Sequence, residues 1–178
     1  MSKKCKNCGE SFEPFMSTQK VCGFTCAVKV GKEQTEKKTE KAFKKRRQAL
    51  KNRAQWLKEA QQAFNEFIRE RDKGKPCISC DKMDGGGHQR HASHYRSVGA
   101  CSSLRFNTWN VHASCATCNS VLSGNLIEYR IRLRLKLGDE RVEWLENQNE
   151  IVRYDIEYAR RVKAIFKKRT RIYRRLLR

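Results

Sequence analysis

Residues 88–125 read HQRHASHYRSVGACSSLRFNTWNVHASCATCNSVLSGN. This stretch holds all four histidines of the chain and the knuckle Cys115-x2-Cys118, with Asn110 just before the knuckle and Asn119 just after it. A CxxC knuckle places two thiolates on one tight turn, which is half of a tetrahedral zinc site. Cys77-x2-Cys80 supplies the other half, with 34 residues between the two pairs. Four thiolates brought together close a structural site with no open coordination position, in preference to two unrelated pairs of buried or redox thiols. So wide a gap means that the metal staples the ends of a subdomain carrying other chemistry between them. Cys101 has no partner at ligand spacing and reads as a bystander.

Working upstream, Gly74 and Pro76 close a helix that precedes the first knuckle. Trp56, Leu57, Ala60, Phe64, Phe67 and Ile68 recur at helical spacing, so residues 54–71 are expected to form an amphipathic helix. Residues 31–54, GKEQTEKKTEKAFKKRRQALKNRA, carry ten basic and three acidic side chains and no proline. They are expected to be an exposed helix, or a linker that orders on binding. Its densest run is Lys44, Lys45, Arg46 and Arg47. Residues 1–30 form a small module in which Cys5-x2-Cys8 and Cys22-x3-Cys26, thirteen residues apart, make a second zinc quartet.

Downstream, Gly85, Gly86 and Gly87 suggest a flexible loop tip, with His88 beside it in solvent. From Leu126 to Leu137 apolar and charged residues alternate as in a strand, yet Tyr129, Leu133 and Leu137 share a helical face. Pattern alone leaves that segment undecided. After Gly138, Asp139 is placed to N-cap a short helix containing Val142 and Leu145. Residues 151–178 are expected to form a long helix, with Ile151, Tyr158, Ile165 and Ile172 spaced by seven. The spacing raises a dimer, but Arg161, Lys168 and Arg175 spoil the companion seam, so packing on the chain's own core is preferred. The expected division is thus 1–30, 31–72, 73–130 and 131–178.

The 178 residues carry 40 Lys+Arg against 19 Asp+Glu, a formal charge of +21. Self-repulsion on that scale opposes compaction unless an anionic partner, nucleic acid or an acidic membrane, neutralises it. Polybasic segments without a flanking anchor argue against lipid, and no apolar run is long enough to span a bilayer. No secretory apolar region opens the sequence, so a soluble, cytoplasmic protein is expected, in a reducing compartment where cysteine pairs bind metal. The two basic segments, 31–54 and 153–178, account for +7 and +9, the latter from eleven basic and two acidic residues. Charge of that kind tracks a phosphate backbone without reading bases.

The histidine, Asn110 and Asn119 punctuation between zinc knuckles resembles the HNH, or ββα-metal, nuclease motif in an H–N–N version. Over a longer span, AQQAFNEFIRERD, PCISC, SHYRS, LRFN, NVHASCATCN and SGNLIEYR resemble the NinG (Rap) recombination nucleases of lambdoid phages. The N-terminal cysteine module followed by a Lys/Arg-rich helix has the same layout. The resemblance is strongest over residues 54–130 and loosest in the C-terminal helix.

It implies an α+β fold: a small ββα-metal core stapled by zinc, flanked by long basic helices and preceded by a zinc module. It implies a metal-dependent DNA endonuclease acting on branched recombination intermediates such as D-loops and Holliday junctions. His94 aligns with the leading histidine, the general base that takes a proton from water. Asn110 matches the central asparagine, which braces the metal loop, and Asn119 the final position, which ligates a catalytic Mg²⁺ or Mn²⁺. His91 stands where relatives often carry an acidic or amide residue and is a candidate metal ligand, although on a strand it faces away from His94. Ser93 replaces a common glycine, and Leu122 replaces a usual lysine. Arg96 and Arg105 are candidate phosphate clamps or ordinary surface arginines, and His112 is as compatible with a structural role as with a catalytic one. The family setting implies host cytoplasm, DNA as partner and a recombinase or single-strand annealing protein as companion. The alternative from another class is a non-catalytic zinc-containing DNA-binding adaptor. Structured RNA as substrate stays open, since backbone clamps do not report sugar identity.

Overall fold

The computed structural model describes residues 2–84 and 89–176, and the chain divides into two units, residues 1–51 and 52–178. The expected glycine loop tip and the exposed His88 lie outside the described residues. The fold is mixed α+β, with five α-helices and two small antiparallel hairpins among the described residues. No helix is long and apolar enough to cross a membrane.

In the first unit, β1 (Lys3–Lys4) pairs with β2 (Ser11–Phe12), and α1 (Phe24–Ala49) follows. Cys26 lies in the first turn of α1 and is its only buried side chain. The basic segment is therefore a helix rather than a linker, and Lys44, Lys45, Arg46 and Arg47 are all exposed on it.

The second unit starts at a capping box. Asn52 accepts the Gln55 N–H at 3.0 Å, and the Gln55 side chain accepts the Asn52 N–H at 3.0 Å. From there α2 (Arg53–Arg71) buries Trp56, Leu57, Ala60, Phe64, Phe67 and Ile68, the stripe its sequence spacing indicates. Its last residues are tied to a second hairpin. Arg71 donates to the carbonyls of Thr108 and Val111, and Asp72, 3% exposed, accepts the Ala113 N–H at 3.0 Å. That hairpin is β3 (Arg90–His94) paired with β4 (Val111–Cys115).

The hairpin is the middle layer of this unit. One side packs with α2 and α5 (Ile156–Leu176) in a core containing Phe64, Phe67, Phe106, Val111, Val162 and Phe166. The other faces α3 (Leu126–Leu137) and α4 (Asp139–Glu146), whose core includes Leu104, Tyr129, Leu133, Val142 and Leu145. The segment left open between strand and helix is helical, and Tyr129 and Leu133 are its buried face. Three successive left-handed residues, Ser123, Gly124 and Asn125, swing the chain into it. Ser79 donates to the Gly124 carbonyl and Asn125 donates to the Ser79 carbonyl, which fixes that turn against the first knuckle.

Three expectations need correction. Asp139 does not cap α4; Gly138 holds the cap position and Asp139 instead pairs with Arg134 at 3.2 Å. The last helix begins at Ile156 rather than at residue 151, because Asp155 accepts the Tyr158 N–H at 2.6 Å and so caps it there. Its buried stripe is Ala159, Val162, Phe166 and Thr170, while Ile151, Ile165 and Ile172 of the seven-residue series are exposed.

Candidate active site

Paired residues in an antiparallel ladder point to one face. The register His94↔Val111, Ala92↔Ala113 and Arg90↔Cys115 therefore defines the α2 face, and His91↔Ser114 and Ser93↔His112 the α3 face. His94 and His91 consequently lie on opposite faces of β3.

His94 is half-buried, with its ring 6.5 Å from that of Phe64. Its Nε2 lies 3.0 Å from the Arg105 carbonyl oxygen. A carbonyl only accepts, so Nε2 carries the proton and Nδ1 keeps the lone pair. Burial pushes the His94 pKa down; the carbonyl bond opposes that shift and the Arg105 charge adds to it. The imidazole is thus held neutral, with one defined basic nitrogen.

Asn110 is fully buried and closes the loop between the strands. Its Oδ1 accepts the Arg96 N–H at 2.8 Å, and its Nδ2 donates to the carbonyls of Arg96 at 3.0 Å and Leu104 at 3.2 Å. Its own carbonyl accepts the Tyr95 N–H at 2.8 Å. Asn110 thereby fixes the chain on both sides of His94: Tyr95 and Arg96 next to it, and the Leu104–Arg105 turn that holds its ring.

Asn119 follows Cys118 in a wide helical turn, Thr117–Val121. Its Nδ2 lies 3.3 Å from His91 Nδ1. These two side chains line a cleft of about 590 Å³ together with Asn65 and Arg69 of α2, Gln89 and Arg90. The structure brings His91 and Asn119 together and leaves His94 outside that cleft, two residues beyond Ala92, which lines its edge. His91 Nε2 is buried there and has no hydrogen-bond partner among the described residues.

Both cysteine quartets are assembled. The four sulfurs of Cys77, Cys80, Cys115 and Cys118 lie within 4.8 Å of one another, as do those of Cys5, Cys8, Cys22 and Cys26. A zinc ion bonded at ~2.3 Å to four thiolates sets sulfur–sulfur separations of ~3.8 Å. Cys80 and Cys115 are 3.8 Å apart, and Cys22 is 3.6 Å from both Cys8 and Cys26. Backbone N–H groups already point at these sulfurs: Cys115 to Cys77 at 3.3 Å, and Cys118 to Cys115 at 3.4 Å. Burial works against the Cys115 thiolate, but the Cys118 N–H and the neighbouring thiols bring its pKa down to about 7. The Cys8 backbone N–H leads in holding Cys5 down to about 6. Either quartet could hold a structural zinc. Cys101 belongs to neither and is buried beside Ser103.

The remaining candidates divide. Arg96 is committed to the end of α4 and the turn that follows it, donating to the carbonyls of Glu146 and Gln148 and to the Asn149 side chain. Arg105 donates to Gln61 at 2.9 Å and lies over Phe106. His112 is 2% exposed, lies 3.3 Å from the Tyr129 hydroxyl, and is pushed well down in pKa by burial. That is a packed, neutral histidine. Sequence pattern did not single out Asn65, Arg69 or Arg90; the signal available was the i, i+4 polar pair on the solvent side of an otherwise apolar-striped helix.

Over residues 1–175 the chain matches the family described as Bacteriophage Lambda NinG protein. It is 38% identical to Protein ninG of Escherichia phage lambda over 187 residues, covering 94% of this chain and 91% of that one. Protein ninG of Salmonella phage P22 is 37% identical over the same shares of both chains, and that of Enterobacteria phage H19B is 39% identical over 91% of this chain and 89% of its own. No solved structure gives a significant match. The chain belongs to the NinG family of lambdoid phage proteins.

Proposed function

We propose that this NinG-family protein is a metal-dependent, structure-directed DNA endonuclease with an HNH-type site, cutting branched recombination intermediates such as D-loops and Holliday junctions. The observation that carries the proposal is His94, whose Nε2–H is held by the Arg105 carbonyl while burial keeps the ring neutral. A histidine prepared in this way is a general base at neutral pH. The order of elements supports it: a hairpin bearing His94, a zinc-binding quartet at its base, Asn119 directly after the second knuckle, then helix α3.

In this mechanism His94 Nδ1 takes a proton from a water molecule, the hydroxide attacks the phosphorus in line, the P–O3′ bond breaks, and the departing 3′ oxygen takes a proton from solvent. The products are a 5′-phosphate and a 3′-hydroxyl. Asn110 keeps the base in place through both strands' connections. The Asn119 amide and the His91 imidazole, side by side with an unpartnered buried Nε2, fit a divalent ion that accepts oxygen and nitrogen donors, Mg²⁺ or Mn²⁺. When bound there, such an ion would supply charge neutralisation at a phosphate in the cleft; His94 stands outside that cleft at the end of β3, so this mechanism requires the substrate to span that end of the strand.

The test is a panel of synthetic four-way junction, D-loop and linear duplex incubated with protein and Mg²⁺ or Mn²⁺. Nicking of the branched forms that disappears in His94→Gln, with junction binding retained, is the expected result. Unchanged nicking by His94→Gln removes the catalytic assignment. Binding without nicking by the wild type under either metal leaves the adaptor reading in its place.

A further inference from the structure

Arg90 is set up as an anion donor in a way that neither basic helix is. Its side chain is 8% exposed. Two of its nitrogens are already engaged, Nη2 donating to the Lys82 carbonyl at 2.8 Å and Nε to the Asp84 carboxylate at 3.3 Å. Nη1 is buried and has no partner among the described residues. A buried donor left unmade is costly, and its geometry is fixed by the two bonds that hold the rest of the guanidinium.

The cleft around it is made of donors. Arg69 lines it from α2, exposed and without an ion pair or hydrogen bond to any described residue. Asn65, one helical turn earlier, uses its Oδ1 to accept Gln61 Nε2 at 2.8 Å, which leaves its Nδ2 hydrogens unused. No carboxylate lines the cleft among the described residues; the Asp84 carboxylate accepts from the Nε edge of Arg90 and is not part of the lining. Two guanidiniums and an amide around a concave polar space match a tetrahedral oxyanion, for which fork-shaped donors are suited.

We propose that Arg90 and Arg69, assisted by Asn65, form a phosphate subsite beside His91 and Asn119. It seats a phosphodiester of the nucleic-acid backbone along the free edge of β3. This rests on the nuclease reading for its substrate, but phosphate binding does not depend on cleavage. It also moves the clamp from Arg96, whose guanidinium is consumed by the turn at residues 146–149, to a pair that only the folded chain assembles. Arg69 comes from α2, so the site extends beyond the hairpin and the knuckle.

Two readouts on the full chain test it. In the first, inorganic phosphate is titrated while the arginine side-chain N–H resonances are followed by NMR. The Arg90 and Arg69 signals are expected to shift together, with affinity falling about tenfold in Arg69→Ala, the size of one charged hydrogen bond. Lys73→Ala, which removes an equal charge just past α2 and outside the cleft, is expected to leave that affinity unchanged. In the second, junction nicking by Arg69→Ala and Arg90→Lys is expected to lose about tenfold or more in kcat/KM. Arg69 is exposed, so its variant folds even if Arg90 substitutions do not. Absence of a phosphate-induced shift at either arginine overturns the subsite, as does wild-type nicking by both variants. Phosphate binding that is lost in Arg69→Ala, in a protein that nicks nothing, keeps the subsite and removes the nuclease reading instead.

Discussion

A histidine whose one ring nitrogen faces a carbonyl has its tautomer decided, and burial then decides its charge. Both apply to His94, and burial applies more strongly to His112. Each ring takes up a proton less readily folded than unfolded, so the unfolded state binds more protons between the lowered folded values and the unfolded value of ~6.5. Stability is therefore full above that range and is lost as pH falls through it. The melting temperature is expected to be lower at pH 5.5 than at pH 7.5, with a smaller difference in His112→Gln; an equal drop in both proteins would exclude the buried histidine as a cause. Under the proposed mechanism the nicking rate is expected to follow the same direction, as the proposed base His94 loses its neutral form when pH falls. Asn110→Ala is expected to cost about 3 kcal/mol in chemical denaturation, because it strands the Arg96 N–H and two carbonyls in the interior. At this scale much was readable beforehand. The resemblance to the HNH motif singled out His94, Asn110 and Asn119, and of these the structure puts Asn119 beside His91 rather than His94. Arg96 did not disclose its task, since its acceptors lie about fifty residues away in sequence.

Elements carry what single residues cannot. Helix α3 illustrates the limit of pattern: its apolar positions alternate as in a strand because Ile127, Ile131 and Leu135 are exposed, while Tyr129 and Leu133 are buried. Hydrophobicity alone cannot tell a buried face from an exposed apolar one, and the choice was made by docking on α4 and on the His112–Ser93 side of the hairpin. In α5 the register was likewise set by its partner. Phe166 meets Phe64 edge-on at 4.7 Å and Phe67 at 5.3 Å, which turns the seven-residue isoleucine series outward. Phe166→Ala is accordingly expected to destabilise the second unit by about 3–5 kcal/mol, whereas Ile165→Ala stays within about 1 kcal/mol. Denaturation curves for the two variants separate these registers; equal losses would place the wrong stripe in the core. The quartet Cys77, Cys80, Cys115 and Cys118, which could hold a zinc ion, is the third such device. Cys77→Ser is expected to lower bound zinc from two ions per chain to one and to lower the melting temperature, since Cys77 and Cys115 join the entry of the subdomain to the end of β4. Zinc content by elemental analysis with parallel melts tests this, and two ions retained in the variant would remove Cys77 as a ligand.

At the scale of the whole molecule the charge of +21 divides between both units: residues 1–51 hold 14 basic and 5 acidic side chains, and residues 52–178 hold 26 and 14. The two parts use their charge differently. In the second unit many cations are engaged, Arg130 with Glu146, Arg132 with Asp81, Lys163 with Glu59 and Arg174 with Glu66 and Glu70. On α1 the quartet Lys44, Lys45, Arg46 and Arg47 is exposed without an ion pair to any described residue. Four consecutive residues occupy all sides of a helix, so this run offers charge in every direction rather than a shaped face. Such charge contributes to affinity through counterion release and contributes nothing to the choice of sequence. For the proposed DNA contact, replacing all four by alanine is expected to make the slope of log K against log salt shallower by at most ~3.6, at ~0.9 for each phosphate no longer neutralised. Under the proposed nuclease reading, the single-turnover nicking rate of bound junction is expected to stay at the wild-type value, because the proposed base His94, its brace Asn110 and the cleft all lie in residues 52–178. Anisotropy titrations of a labelled four-way junction at several salt concentrations, with single-turnover nicking at saturating protein, separate binding from chemistry. An unchanged slope would remove α1 from the DNA interface, and a lost single-turnover rate would show that α1 takes part in the chemistry rather than only in holding the substrate.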